Sequence, residues 1–388
     1  MSYPLRRAFT TATLCLSLLF LVEADQTKGA DSDEPEVRGA ITAVVDLKTL
    51  STMDQLLEKL MSKRVIFIGE THDHYEDHLS QLAIIEGLHN KGRNLAVGME
   101  FFQQPFQAYL DAYVAAEISE KELLRKTEYF DRWRFDYRLY QPILRFAREH
   151  GIPLLALNLA EEITRKVGDG GIVSLSDEER AQVPTEIDRD DEDYRKRIKA
   201  VFDHHPMAKE KNFEHFLEVQ LSWDEGMAER TARYLRQHPE KTLVVLAGTG
   251  HLEYGQGIPK RLLRRVPVPS AILLNGTEPE LDPKVADYLL FPRPVALPES
   301  GLLGILLDAD SEGKGVIVQG FADTSGAQDA GMKEGDRIVK IDGEPIDSYG
   351  DIRIALLGSR PGDKLPVEVF RERLVGKDRH LTFEVYLH

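Results

Sequence analysis

Five continuous apolar runs mark the first two thirds of the chain: VIFIG (65–69), LAVGME (95–100), IPLLALN (152–158), TLVVLAG (242–248) and AILLNG (271–276). Runs without polar alternation are strands buried on both faces, and the helix-spaced stretches between them make the sheet parallel. The pattern predicts an α/β fold, a mainly parallel sheet flanked by helices. In such sheets ligands bind beyond the carboxyl ends of the strands. Four runs deliver polar residues to that edge: Gly69-Glu70-Thr71-His72, Glu100, Asn158 and Gly248-Thr249-Gly250-His251. Two strands ending in GxxH and a third ending in Glu point to one shared pocket built from Glu70, His72, Glu100 and His251. The glycines are expected there for sharp turns with positive φ and for close backbone approach to a ligand.

The stretch GETHDHYEDH (69–78) adds two more histidines. His74 and His78 are four residues apart, so a helix starting there sets both on one face. Tyr75 follows His74 where a zinc-protease helix has Glu, so that motif is excluded, while His78 is expected near the pocket. A helix over 215–235 carries Phe216, Gln220, Trp223, Met227, Thr231 and Tyr234 as a packing stripe. Within it Gln220 needs a buried partner that the pocket can supply. Between Gly168 and Arg197 the GDGG and DRDDED runs predict a lid or helical insertion, and His204, His205 and His215 are expected on the surface or in that lid.

The amino terminus changes where this chemistry takes place. Arg6 and Arg7 precede the apolar run Ala12 to Val22, and Val22-Glu23-Ala24 suits a cleavage site, so residues 1–24 are expected to be a signal peptide. The run is too short to span a bilayer, and no transmembrane segment is expected in the mature chain. Cys15 follows Leu14, which argues against lipidation, and it is the one cysteine of the chain. Export to the periplasm or the extracellular space then leaves no thiol, excluding disulfides and thiolate metal sites. Loss of Arg6, Arg7 and Glu23 leaves 47 basic and 64 acidic residues, a formal charge of −17, which excludes nucleic acid as a main partner. Residues 25–40 are polar and acidic without periodicity and form a flexible tether; nothing in the pattern fixes an oligomeric state.

Beyond about residue 290 the pattern changes. A proline-rich linker (291–298) is followed by short strand-like runs, GVIVQG, DRIVKIDGEPI and LPVEVFRE. The run GLLGILLD, then AGMKEGDRIVKIDGEPI and SYGDIRIALLG, resembles a PDZ domain of the bacterial protease-associated kind over 299–388. The resemblance implies capture of a peptide or protein C-terminus by strand addition. Backbone N–H groups at Leu303, Gly304 and Ile305 would hold the carboxylate, with Ile352 and Leu356 lining the groove. The linker predicts a separable module.

The stretches IGETHDHYEDH, VGMEFF, QLSWDEGMA and LAGTGHLEYGQGIPKR make the α/β domain (41–290) resemble the ChaN-like haem-binding uptake family of the Tiki and erythromycin esterase superfamily. The resemblance places paired GxxH motifs on Gly69 to His72 and Gly248 to His251, with the intervening acid on Glu100. What it implies divides. ChaN-like members are haem or iron binders that ligate iron through tyrosine, for which Tyr109, Tyr113 and Tyr254 are candidates; other branches are metal-dependent proteases and hydrolases with a His base. The residues leave both open. Glu70, His72, Glu100 and His251, with His78, can hold a divalent metal, or Glu70 or His72 can act as a general base without one. Two functions follow: an exported haem-binding protein with a peptide-docking module, or a hydrolase recruited by that module.

Overall fold

The computed structural model describes residues 48–204, 212–276, 282–308, 314–372 and 379–388. The expected signal peptide and tether, and His205, lie outside the described residues.

Helix α1 (Met53–Leu60) opens with a Thr52/Gln55 capping box and leads into β1 (Val65–Glu70). Then come α2 (Tyr75–Asn90), β2 (Leu95–Gln103), α3 (Gln107–Val114), α4 (Glu120–Lys126), α5 (Tyr129–Arg132), α6 (Gln141–Glu149) and β3 (Leu154–Asn158). The polar excursion is helical: α7 (Glu161–Gly170), α8 (Asp177–Arg180) and α9 (Glu192–Asp203). Helix α10 (Phe213–Gln237), β4 (Thr242–Gly248), α11 (Ile258–Arg265), β5 (Ser270–Asn275) and β6 (Tyr288–Leu290) complete the first sheet. Its order is β3-β2-β4-β1-β5-β6, parallel at every pairing. β1 to β4 are buried along their whole length, as the unbroken apolar runs require.

A second sheet follows, from β7 (Ile305–Asp308), β8 (Val316–Phe321), β9 (Arg337–Ile341), β10 (Glu344–Pro345), β11 (Lys364–Arg371) and β12 (Arg379–Tyr386), with helices α12 (Gly326–Asp329) and α13 (Tyr349–Ala355). It is antiparallel, in the order β12-β11-β9-β8-β7, with β10 on β9. β7 is therefore an edge strand. Its core joins Leu303, Val318, Ile338, Ile341, Ile352 and Leu356.

Two expectations need correction. Glu100 does not end its strand: β2 continues to Gln103, and its register against β3 shifts after Met99. The linker also does not leave the second sheet free. Arg125 of α4 pairs with Asp351 and Glu344, Arg353 of α13 pairs with Asp136 at 2.9 Å and lies over the Phe130 ring, and Arg138 donates to Pro298 O at 2.5 Å. Helix α13 thus packs on the α4–α5 face of the first domain.

Candidate functional site

The parallel order brings β1, β2 and β4 side by side with β4 in the middle, which gathers Glu70, Glu100 and His251 at one edge. β1 runs into His72, whose Nδ1 donates to Glu70 Oε1 at 2.5 Å. β4 runs through Gly248 into a short 3-10 turn that ends on His251. His251 donates from Nδ1 to Asp224 Oδ1 at 2.6 Å, and its Nε2 lies 3.3 Å from Glu100 Oε1. Glu100 Oε2 accepts from the Gly248 N–H at 2.7 Å, so the middle strand's backbone holds the carboxylate between the histidines.

The four residues expected to share a pocket therefore converge, across 181 positions of sequence. The carboxylates lie underneath and the imidazoles above: side-chain exposure is 2% for Glu70 and 6% for Glu100, against 11% for His72 and 15% for His251. Burial alone would pull both imidazoles down. For His72 the Glu70 carboxylate and then Glu100 outweigh it; for His251 Glu100 and Asp224 raise the pKa well above the ordinary value. Burial would push Glu100 up, but the His251 cation, His72 and the Gly248 N–H bring it to about 2.

The glycines serve a different need from the one expected. Neither Gly69 nor Gly248 has positive φ. They supply room: a Cβ on Gly69 would lie 2.5 Å from Leu274, and one on Gly248 would lie 3.0 Å from His72 Cε1. Close approach alone accounts for them.

His78 does reach the site from α2. It is buried, its Nε2 donates to His72 O at 3.2 Å, and it lies 3.9 Å from Glu70 Oε2. His74 precedes it as the α2 N-cap. Asp77, fully buried, accepts from Thr71 N at 2.9 Å, and burial pushes its pKa to about 6. Trp133 and Phe135 form an aromatic wall against His72, each with ring centroids 4.9 Å away. Behind them Tyr140 donates to His72 O at 3.3 Å.

Two contributors escaped sequence reasoning. Asp224 lies on α10 one position past Trp223, and Tyr194 of the insertion helix α9 donates to its other oxygen at 2.7 Å. Gln220, chosen for this role, is half-buried on the same helix. The missed signal was an acid inside an otherwise packed stretch, SWDEGMA, together with its neighbour Glu225, which is fully buried against Arg261, Arg264 and Arg265.

Among the tyrosines, Tyr113 is buried at 1% exposure with Arg148 over its ring, Tyr109 is half-buried beside Phe106, and half-buried Tyr254 follows His251 by three positions with φ +57°. Among the described residues, no three His, Asp or Glu side chains are arranged to hold a metal ion. The reason is local. Both ring nitrogens of His251 and both oxygens of Glu100 are already committed to each other, to Asp224 and to Gly248. His251 and Glu100 as arranged offer a divalent cation no free donor, whereas Glu70 Oε2 is buried without a hydrogen-bond partner among the described residues.

In the second sheet, Leu303, Ile352 and Leu356 are buried in the core, whereas Leu302 and Leu306 are more than half exposed. Ile352 and Leu356, expected to line a groove, are thus core residues, and Leu306 on edge strand β7 presents exposed apolar surface. The N–H groups of Leu303 and Gly304 have no acceptor among the described residues.

A parallel sheet with imidazole–carboxylate pairs at its carboxyl edge, followed by a small antiparallel domain of PDZ type, defines the class. Residues 56–262, more than half the chain, match the family described as haem-binding uptake, Tiki superfamily, ChaN, and the chain belongs to that family. Residues 301–387 match the PDZ domain. The chain is similar to Protein RETICULATA-RELATED 5, chloroplastic, of Arabidopsis thaliana, 23% identical over 60% of this chain and 35% of that protein. It is also similar to the Serine protease Do-like HtrB of Bacillus subtilis (strain 168), 34% identical over 30% of this chain and 24% of that protein. The chain thus spans about a third and a quarter of these two relatives. A solved structure described as cofacial heme binding to ChaN of Campylobacter jejuni shares the fold, with a TM-score of 0.51 and 19% identity over 63% of this chain and 92% of that one.

Proposed function

We propose that this chain is an exported haem-binding protein whose PDZ domain captures peptide or protein C-termini. The family match over 56–262 carries the haem assignment. The site is compatible with it: two imidazole edges emerge above buried carboxylates, beside half-buried Phe135, which lies against His72 and is backed by the buried Trp133 ring. Of the tyrosine candidates, Tyr109 and Tyr254 keep partly open side chains and are the proposed iron ligands; Tyr113 would have to leave its packing under Arg148. When bound, ferric haem would supply the redox-active iron, and the protein would supply orientation and charge. Export rests on Arg6, Arg7 and the apolar run after them, and places the protein in the periplasm or outside the cell. We assign residues 1–24 to the signal peptide, 25–40 to a tether, 41–290 to the haem-binding domain, 291–298 to the linker and 299–388 to the PDZ domain.

One observation favours a second reading, a hydrolase. His251 with Asp224, and His72 with Glu70, are each an imidazole oriented by a buried carboxylate, the pairing used in general acid–base catalysis, with His251 held in the acid form. Purified protein mixed with excess haemin and passed over a size-exclusion column separates the two. Co-elution of protein and haem absorbance supports the haem reading. Haem-free protein that cleaves an ester or peptide, with activity lost on His251→Ala, supports the hydrolase.

A further inference from the structure

The turn after α5 faces both domains. Asp136 accepts from Arg138, at 3.0 Å from Nε and 2.7 Å from Nη2, and from Arg353 of the PDZ helix at 2.9 Å. Two guanidiniums therefore share one carboxylate and leave a local charge of +1. Phe130, Asp136 and Arg138 line a water-sized cavity of about 20 Å³ together with Leu302, Arg353 and Leu356 of the PDZ domain. Leu302 begins the loop in which the N–H groups of Leu303 and Gly304 lack an acceptor among the described residues. Free backbone donors, an excess guanidinium and apolar walls at the end of an edge strand are complementary to a chain ending in a carboxylate behind an apolar side chain.

We propose that the carboxylate end of the PDZ groove is a composite site, completed by Arg138 of the haem-binding domain and tuned by Asp136. The proposal rests on the peptide-docking reading above and adds that the first domain takes part in it. A terminal carboxylate bound at the loop takes a share of the Arg138 and Arg353 donors that Asp136 now holds. Asp136 is thus an internal competitor for the peptide.

Fluorescence anisotropy of the full mature chain with a labelled decapeptide ending in valine, as free acid and as C-terminal amide, tests this. Arg138→Gln is expected to weaken the free acid about 10–100-fold, the worth of one charge-assisted hydrogen bond, and to leave the amide unchanged. Asp136→Asn is expected to tighten the free acid severalfold, a gain that misfolding cannot produce. If both variants keep the wild-type ratio of acid to amide affinity, or Arg138→Gln weakens both peptides equally, the composite site is overturned while peptide docking stands. If the wild type binds neither peptide, docking falls and the composite site with it.

Discussion

Replacing Asp224 by Asn tests whether the buried carboxylates hold His251 as a cation. Asp224 is 1% exposed and accepts from His251 at 2.6 Å and from Tyr194 at 2.7 Å. Asn keeps the shape and one acceptor but removes the charge, turning a charge-assisted bond into a neutral one. The loss is of the order of 2–3 kcal/mol, roughly 5–10 °C in the melting temperature. The pH dependence is more discriminating. Burial lowers the His251 pKa, but Glu100 and Asp224 raise it well above the unfolded value, so its contribution to stability is fully present below about pH 6.5 and fades as pH rises through the folded value. Thermal unfolding followed by circular dichroism should give the full deficit for Asp224→Asn near pH 6. Toward alkaline pH it should shrink to about 1 kcal/mol, the worth of a neutral hydrogen bond. An equal deficit at pH 6 and at alkaline pH would refute the charged pairing.

Asp77 works in the opposite sense, because burial raises its pKa to about 6: ionising it within the fold lowers stability as pH climbs from about 4 to 6. Asp77→Asn should therefore match wild type near pH 4 and exceed it by up to about 3 kcal/mol at pH 8 in urea unfolding, and an unchanged difference across that range would contradict this. Gly248→Ala places a Cβ 3.0 Å from His72 Cε1 and 3.7 Å from Glu100 Oε2, and should displace the imidazole. The expected result is at least a tenfold fall in haem affinity by absorbance titration with about 1 kcal/mol lost in stability; unchanged affinity would remove His72 from the site.

The sheet was legible because β1 to β4 are buried on both faces and so carry runs without polar interruption. Their carboxyl edge then followed from the parallel order, which made Glu70, His72, Glu100 and His251 readable as a set. What stayed hidden depended on helix phase and tertiary contact. The stripe expected on α10 does pack, with Met227 and Thr231 fully buried and Phe216, Trp223 and Tyr234 against the core, but the buried face is wider than the stripe and takes in Leu217, Leu221, Asp224 and Ala228. The acid that holds His251 lies one helical turn beyond Gln220, on the wider part of that face. Tyr194 had no local signal, since it reaches Asp224 only after the acidic insertion folds back and Arg197 and Arg261 stack over its ring. The docking of α13 was likewise invisible, because its anchors Arg125, Asp136 and Arg353 look like ordinary surface charges until both domains are in place.

The central claim is that the paired imidazoles at the sheet edge belong to a haem site. Titration of the purified full-length mature protein with haemin, followed at the Soret band beside the double variant His72→Ala/His251→Ala, tests it most directly. The account predicts a saturable, shifted band at micromolar protein in wild type, weakened at least tenfold in the variant, with circular dichroism confirming that the variant is folded. A wild-type spectrum identical to free haemin, or a folded double variant that binds haem as tightly as wild type, would contradict it.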